Sequence, residues 1–471
     1  MLLLGCSSVE NFPFGTDSSA SSSSGTGGGK GCVSGQQVEC ACSGGAKGTQ
    51  SCKSDGSGFE PCVCGSTGVG GAGTVGSGGQ GGSNSSVGGQ SAGGQGGGQD
   101  NVVQLSLGLA HTCALRASGS VLGWGWNDFG QCGTNKVQVL LPTPVAALSS
   151  VSEVALGDRH TCARRNDGSV SCWGRDADWQ LGDGQMKDSA TPISVMGLQS
   201  AAGIALGNRF SCALKTDGTV LCWGYNYYGQ VGNTAACAGG SFGQKPTAVM
   251  GLTSVAQLAI GGGEHSCVRK SDGTVHCWGG NSSGQLGASS ASSCSGVQFS
   301  SQPLAVSALT AVGAIAVGGH SCVLKLDSTV SCWGDNLFAQ LGAVSNDTCN
   351  GTQPCSKTPI AVQGLSSVAQ VSAGGAHTCA RLKDGTVMCW GANQYGQLGA
   401  QSSDSCFNST PCSKKPVSVP GLSSVVDIAV GGNHTCARKI DGGVLCWGWN
   451  EFGQLGDGTT QDRITPTLVK W

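Results

Sequence analysis

The chain has 471 residues and a formal net charge of -2, and only 11% of its residues are charged, where a soluble domain carries about 25%. A protein that binds nucleic acid through its phosphates normally carries clustered Lys and Arg, so the composition argues against DNA or RNA as a partner. The 83 Gly residues predict very frequent turns. The 27 Cys residues recur at regular positions and predict a disulfide framework in an oxidising compartment.

The first six residues point to export. Leu3-Leu4-Gly5-Cys6 resembles the lipobox of bacterial lipoproteins, which implies that Cys6 becomes an acylated N-terminus. A signal peptide has about 7 to 15 apolar residues before its cleavage site, so we expect the true start to lie upstream; an unprocessed N-terminus is the alternative. Ser7 follows the Cys, which by the same resemblance implies an outer-membrane lipoprotein facing the periplasm or the exterior. No other apolar run approaches the ~20 residues that span a bilayer, so we expect Cys6 alone to attach the chain to the membrane.

Two flexible tethers enclose a Cys-rich segment. Residues 7–30 and 65–100 are mostly Gly, Ser, Thr and Gln, a composition typical of disordered linkers. Residues 31–64 hold six Cys among few apolar side chains, so we expect three disulfides to stabilise this segment, and the pairing stays open. A metal site on its Cys-x-Cys pairs at Cys40 and Cys62 is the alternative, although structural zinc sites favour wider Cys spacing.

Residues 101–471 repeat one pattern seven times, and the second copy shows its physics. A strand at 160–165, a turn at Asn166-Asp167-Gly168 and a strand at 169–173 predict a hairpin. Folding the hairpin at this turn places Cys162 opposite Cys172, close enough to bridge. The same ten-residue offset predicts six cross-strand disulfides: Cys162–Cys172, Cys212–Cys222, Cys267–Cys277, Cys322–Cys332, Cys379–Cys389 and Cys436–Cys446.

The remaining Cys residues of the repeats also have candidate partners. In the first copy Gly123 occupies the position of the second Cys, so Cys113 is expected to pair with Cys132 instead. Inserted loops suggest three further pairs: Cys349–Cys355, Cys406–Cys412 and Cys237–Cys294.

The segment from His377 to Gly399 reads His-Thr-Cys-Ala-Arg-Leu-Lys-Asp-Gly-Thr-Val-Met-Cys-Trp-Gly-Ala-Asn-Gln-Tyr-Gly-Gln-Leu-Gly. It resembles the regulator-of-chromosome-condensation repeat, and the resemblance covers residues 101–471. It implies an all-β fold, a seven-bladed β-propeller of four-stranded blades around a central channel. The repeats begin with an inner strand at Asn101 and finish with a Thr-Pro strand at 465–469. We therefore expect the C-terminal strand to pair with the first blade and close the ring.

Residues that recur in every copy are interpreted as structural. Six His residues share one repeat position, which Phe210 fills in the third copy, and strand packing is a simpler role for such a set than catalysis. The seven Trp residues that precede Gly are interpreted as wedges between blades, with ligand stacking as the alternative. No nucleophile elbow, phosphate loop or paired-carboxylate signature is present. We therefore expect no catalytic, cofactor-binding or metal-binding residues and no enzyme activity.

Recognition is expected at residues that differ between copies, on loops held by the rigid scaffold. Aromatic side chains that follow the Trp-Gly step are the candidates, because such anchors are enriched in protein interfaces; the alternative is that each caps its own blade. The predicted binding face comprises Trp126, Trp179, Tyr227, Tyr228, Phe338, Tyr395 and Trp449.

The sequence thus predicts a monomeric, lipid-anchored binding scaffold of the cell envelope that takes a protein or glycan partner and no nucleic acid. One alternative is an inhibitor or regulator of an enzyme, resembling the secreted β-lactamase-inhibitor propellers. A purely structural envelope component is another. Guanine-nucleotide exchange, which the resemblance also implies, is less favoured, because that reaction serves a eukaryotic nuclear GTPase.

Overall fold

A computed structural model describes residues 37–41, 47–51, 100–233, 236–237, 242–290 and 292–471. The predictions for Cys6, for both tethers and for the pairing within 31–64 lie outside these residues. Within the Cys-rich segment, β1 (Gln37–Ala41) and β2 (Lys47–Ser51) form an antiparallel sheet of their own.

From residue 102 onward the chain forms seven antiparallel sheets, each made from consecutive strands. The first strand of each sheet is almost entirely buried, and the last alternates between partly and fully exposed residues, as in β7 and β10. A turn such as Asp167-Gly168 joins the middle strands: Asp167 Oδ1 accepts from the Ser169 N–H at 2.8 Å, and Gly168 has a φ of +78°, which Gly adopts without strain.

The first four-stranded blades are blade 1, β3 (Val102–Leu107), β4 (His111–Arg116), β5 (Val121–Trp126) and β6 (Gln138–Pro144); blade 2, β7 (Val151–Leu156), β8 (His160–Arg165), β9 (Val170–Gly174) and β10 (Ser189–Ser194); and blade 3, β11 (Ala201–Leu206), β12 (Phe210–Lys215), β13 (Val220–Tyr225) and β14 (Phe242–Ala248).

The loops of the next three blades add a short fifth strand. They are blade 4, β15 (Val255–Gly261), β16 (His265–Lys270), β17 (Val275–Gly280), β18 (Ser292–Cys294) and β19 (Val297–Ala305); blade 5, β20 (Val312–Val317), β21 (His320–Lys325), β22 (Val330–Asp335), β23 (Asp347–Cys349) and β24 (Gln353–Ala361); and blade 6, β25 (Val368–Ala373), β26 (His377–Leu382), β27 (Val387–Ala392), β28 (Asp404–Ser405), a 3₁₀ turn (Phe407–Ser409) and β29 (Pro411–Ser418). Blade 7 has β30 (Val425–Val430), β31 (His434–Lys439), β32 (Val444–Gly448) and β33 (Arg463–Leu468).

The innermost strands contact one another in sequence around the ring, from β3 through β7, β11, β15, β20 and β25 to β30, and β30 contacts β3 again. This confirms the predicted seven-bladed propeller of four-stranded blades. The expected pairing of the C-terminal strand with the first blade is wrong, because β33 pairs with β32 and completes its own meander. The ring closes instead through contacts between blades 7 and 1: the Gly432 N–H donates to the Gly108 carbonyl at 3.2 Å, the ring centroids of Trp471 and Trp124 lie 6.0 Å apart, and the Arg116 guanidinium lies 5.6 Å from the Trp471 ring.

Disulfides join the two middle strands of blades 2 to 7. The cysteines of each bridge face each other across the ladder, with Cα atoms 4.0 Å apart in Cys162–Cys172. The hairpin bridges are Cys162–Cys172, Cys212–Cys222, Cys267–Cys277, Cys322–Cys332, Cys379–Cys389 and Cys436–Cys446, and the loop bridges are Cys237–Cys294, Cys349–Cys355 and Cys406–Cys412.

The first blade departs from this pattern. Cys113 and Cys132 are both buried thiols, so the expected bridge between them is wrong. The Cys132 carbonyl fills the space beside Gly123, where a Cβ atom would lie 2.5 Å from its oxygen. The Cys132 Sγ points to the Trp126 carbonyl at 3.3 Å. Burial raises the pKa of both thiols, which keeps them protonated and unreactive.

Candidate functional site

A hydrogen-bonded clip joins each blade to the next at the repeated His position. Between blades 1 and 2, His111 Nε2 lies 3.0 Å from Thr161 Oγ1, and that hydroxyl donates to the Gln131 carbonyl at 2.9 Å. Trp173 Nε1 donates to the same carbonyl at 3.0 Å. Because the hydroxyl hydrogen is used on the carbonyl, we infer that the imidazole donates through Nε2, as the neutral ring protonated at that nitrogen does. Burial lowers the pKa of His111 to about 3, in agreement with this state.

The clip recurs at six of the seven seams. The His–hydroxyl pairs are His111–Thr161, His160–Ser211, His265–Ser321, His320–Thr378, His377–Thr435 and His434–Thr112. All seven Trp side chains of the Trp-Gly steps are fully buried and bond a Gln carbonyl of the preceding blade. These side chains are therefore structural, and they position the next layer.

That next layer, which we call the rim rung, lies one residue beyond the clip. In blade 2 the Arg175 N–H donates to the Arg159 carbonyl at 2.9 Å. Gly174 makes this close approach possible: it has a φ of +107°, and a Cβ atom there would lie 2.6 Å from the Arg159 oxygen. The same bond pairs Ala110 with Trp126, Arg209 with Tyr225, Glu264 with Gly280, Ala376 with Ala392, and Asn433 with Trp449.

Aromatic side chains from three adjacent blades form a continuous chain at the rim, which we call the aromatic arc: Tyr395, Trp449, Phe452, Trp126 and Phe129. Tyr395 and Trp449 have ring centroids 5.7 Å apart, and Trp449 meets Phe452 edge to face at 5.3 Å. Phe452 contacts Trp126 at 5.5 Å, and Trp126 contacts Phe129 at 5.9 Å. All five side chains are partly exposed.

Two arginines continue the arc into blade 2. The Arg159 guanidinium lies 4.8 Å from the Trp126 ring and 5.5 Å from the Phe129 ring. The Arg175 guanidinium lies 5.1 Å from the Phe129 ring. Burial, and next the neighbouring Arg175 charge, lower the pKa of Arg159.

A second cluster follows in blade 3, centred on Arg209. Its guanidinium lies 3.6 Å from the Tyr225 ring, 3.5 Å from Asp178 of blade 2 and 3.7 Å from Glu264 of blade 4. Burial raises the pKa of both carboxyl groups, and Arg209 opposes that shift. Tyr225 and Tyr227 stack with centroids 6.4 Å apart, and Tyr228 meets Tyr227 at 5.0 Å.

The regulator of chromosome condensation (RCC1) repeat matches residues 118–164, 167–214, 217–269, 327–381, 384–438 and 441–471. A second pattern for the same repeat matches residues 102–131, 151–178, 202–230, 255–285, 368–397 and 425–454. The chain belongs to the RCC1 repeat family.

The proteins that it resembles include eukaryotic proteins of several kinds. The chain is 34% identical over 253 residues to the probable E3 ubiquitin-protein ligase HERC6 of Homo sapiens, which is 52% of this chain and 23% of the human protein. It is 28% identical over 381 residues to the ultraviolet-B receptor UVR8 of Arabidopsis thaliana, 78% of this chain and 70% of the receptor. The crystal structure of Prp20p from Saccharomyces cerevisiae aligns with a TM-score of 0.63 and 21% identity, over 79% of this chain and 88% of that one. The chain thus spans less than a quarter of HERC6, and the likeness to Prp20p shows the fold alone.

The structure brings together some of the residues predicted for the binding face of this RCC1-repeat protein. Trp126, Tyr395 and Trp449 share the aromatic arc, and Tyr227 and Tyr228 belong to the second cluster. Trp179 and Phe338, the other two, are half-buried and make no ring contact within the described part of the chain.

Sequence reasoning missed the arginines that join these clusters. Arg159 and Arg209 stand directly before the His position, and Arg175 stands two residues after a repeated Trp. A signal was present, because the residue before the His position varies from copy to copy while its neighbours repeat. The varying residues include Ala110, Arg159, Arg209, Glu264, Ala376 and Asn433.

Among the described residues, no group of three or more His, Cys, Asp or Glu side chains is placed to hold a metal ion. The same residues include no helix with the length and apolar character needed to cross a membrane.

Proposed function

We propose that this protein is a non-enzymatic binding scaffold of the cell envelope, in which the propeller presents the aromatic arc to a protein partner. The observation that carries the proposal is that five partly exposed aromatic side chains meet across three blades. Trp126 and Trp449 share one repeat position, and Phe129, Tyr395 and Phe452 share another. Aromatic anchors of this kind dominate protein interfaces.

The contacts of the arc argue against a purely local role. Trp126 of blade 1 packs on Phe452 of blade 7, and Tyr395 of blade 6 packs on Trp449 of blade 7. A residue that only capped its own blade would not need a neighbour from the next one. The arc is therefore a surface that exists only in the closed ring, on a scaffold that the clips make rigid.

Relatives support a protein as the partner. The structural study of Prp20p describes its binding to Gsp1p and histones, and a further crystal structure contains Kap60 bound to Prp20. Those partners belong to Prp20p. For this chain, the disulfides of blades 2 to 7 favour a partner in an oxidising compartment.

The placement in the envelope is part of the proposal and has its own test. Acylation of Cys6 would hold the propeller at a membrane on its tethers. Expression of the full chain with Cys6→Ser, from a start that includes any upstream signal, is expected to move the protein from the membrane fraction to the soluble fraction. If the amount of protein in the membrane fraction is unchanged, Cys6 acylation does not anchor the protein.

Capture of a partner tests the arc directly. The variant Tyr395→Ala with Trp449→Ala should lose capture from solubilised native envelope by about ten-fold or more, since a central aromatic anchor contributes about 2 kcal/mol or more. Phe407→Ala with Ile440→Ala is the matched control, because both side chains are exposed and lie outside the arc. Equal capture by the arc variant and the wild type would overturn the proposal.

A further inference from the structure

Blade 2 carries an arrangement that the fold does not explain. Its rim rung places Arg159 and Arg175 opposite each other, just before β8 begins and just after β9 ends, joined by the Arg175 N–H to Arg159 carbonyl bond of 2.9 Å. Like charges directly opposed on an antiparallel pair are destabilising. No other rim rung joined by this bond holds two charges of the same sign: the partners there are Trp, Tyr, Gly or Ala.

The two charges lack a close counter-ion. No ion pair among the described residues involves Arg159 or Arg175. Asp128 and Asp158 raise the pKa of Arg159 from a greater distance. Asp178, whose pKa burial raises, is engaged by Arg209 at 3.5 Å and is also attracted by Arg175 from beyond ion-pair distance.

Hydrogen-bond donors at the same place are also unused. Arg175 Nε and Trp126 Nε1 are buried and have no hydrogen-bond partner in the structure. A buried donor without a partner destabilises the fold. The rings of Trp126 and Phe129 lie against the guanidinium groups, which leaves the N–H edges of the arginines for bonds in the guanidinium plane.

We infer that Arg159, Arg175 and Trp126 form a subsite for a carboxylate, supplied by an acidic segment of the partner protein. The carboxylate oxygens would accept from the two guanidinium groups, which offsets the like-charge repulsion, and the Trp126 ring would hold Arg159 in place for that contact. This inference rests on the proposed function and names the chemistry of the partner at one end of the aromatic arc.

The shape of the surface favours a protein over an anionic glycan. A sugar ring stacks on a free aromatic face, whereas Arg159 lies over the Trp126 ring and both arginines lie over Phe129. Trp449 and Phe452 meet at an interplanar angle of 88°, so they form an uneven surface with no flat platform. Such a surface suits apolar side chains that flank an acidic residue.

Hexaglutamate is a direct probe of the subsite. The net charge of the chain is -2, so an acidic peptide has no general attraction to the protein. We expect hexaglutamate to bind in isothermal titration at low salt. The variant Arg159→Gln with Arg175→Gln should weaken this binding by about ten-fold, because hydrogen bonds between charged groups contribute about 1.5 to 3 kcal/mol. Lys357→Gln with Lys414→Gln removes the same charge from two exposed positions outside the rim and should change the affinity less than about two-fold.

Three results would overturn the inference: no binding of hexaglutamate, equal losses in both double variants, or tighter arginine-dependent binding of a sulfated heparin hexasaccharide than of the peptide. Failure of the proposed function is a separate result. If partner capture depends on Tyr395 and Trp449 but not on the two arginines, the proposed binding scaffold is supported and the carboxylate subsite is wrong. If the arc variant captures normally, the scaffold itself is wrong.

Discussion

The clip and the rim rung are neighbouring layers of the same strands, and they differ in almost every respect. In the clip, the residue of the second strand is His in six blades, it is fully buried, and its hydrogen bond is the same at each seam. One residue earlier, the rim carries Ala110, Arg159, Arg209 or Glu264, and its side chains are half-buried at three of these four positions. Repetition therefore marks the residues that hold the ring together, and variation marks those that are available to a ligand.

The seam between blades 3 and 4 sharpens this comparison, because there the repetition fails. Phe210 replaces the clip His, and the Ser266 hydroxyl that faces it is buried without a partner in the described structure. Gly203 also occupies a position that is Gln in blades 1, 4 and 6, where the side chain bonds the next inner strand, as Gln104 does with Val154 at 2.9 Å. The bridge Cys237–Cys294 joins the loops of these same two blades. We interpret this disulfide as a substitute for the missing polar contacts.

The largest effect is expected from that bridge. Cys237→Ser with Cys294→Ser should lower the free energy of unfolding by about 4 kcal/mol, against about 3 kcal/mol for Cys162→Ser with Cys172→Ser, because the first bridge closes a longer loop. Hydrogen exchange should then become fastest in β15, at the weakened seam. Uniform exchange across all seams of the first variant would contradict this interpretation.

Exchanging the clip residues tests the comparison in both directions. His377→Phe copies the blade 3 arrangement into blade 6 and should cost about 1 to 2 kcal/mol, because the Thr435 hydroxyl loses a bond in a buried place. Phe210→His should gain about 1 kcal/mol by giving the Ser266 hydroxyl a partner. Urea denaturation of both variants measures the two changes in the free energy of unfolding. If both changes have the same sign, the clip hydrogen bond does not determine the stability of the seam.

A smaller effect concerns Asp176, which occupies the place of a buried Asn in the other blades, such as Asn450. The amide of Asn450 donates to the carbonyls of Thr459 and Gln461, and a carboxylate has no hydrogen to donate. Burial raises the pKa of Asp176 to about 7, and Asp183 and Asp188 add to the shift. The folded state therefore binds this proton more tightly than the unfolded state, so stability falls as the pH rises from about 4 through 7.

Asp176→Asn should remove this pH dependence and raise Tm by a few degrees at pH 8, with little change at pH 4. The reciprocal change Asn450→Asp should introduce the same dependence in blade 7. Thermal unfolding at the two pH values measures both. A pH-independent difference between Asp176→Asn and the wild type would show that the carboxyl is not the cause.

The sequence predicted the fold because its signals are local and repeated seven times. The Asp-Gly turn sets the hairpin register, and that register fixes the opposition of Cys162 and Cys172. The way in which the ring closes was not predictable from these signals. A periodic sequence is compatible with several boundaries between blades, so it does not show whether the last strand pairs within blade 7 or with blade 1. The pairing of Cys113 with Cys132 was inferred by elimination, which carries no information about the backbone beside Gly123.

The candidate site was predictable only in part. Aromatic residues are recognised in a sequence by their residue type alone, so Trp126, Tyr395 and Trp449 were predicted. Arg159 and Arg175 were not, because their role depends on contacts with blade 1 across a seam, which no local pattern encodes. Phe338 shows the converse, since it occupies the same repeat position as Phe129 and Tyr395 but makes no ring contact among the described residues. Trp179 occupies a different position, the one that Gly130 fills in blade 1.

Partner capture and Tm, measured together for Tyr395→Ala with Trp449→Ala and for His377→Phe, separate binding by variable rim residues from stabilisation by repeated clip residues. The arc variant should lose capture by about ten-fold or more at an unchanged Tm. The clip variant should have a lower Tm, while its capture at a temperature well below unfolding stays intact. Normal capture by the arc variant, or a loss of capture that only follows its unfolding, would contradict the assignment of binding to the rim.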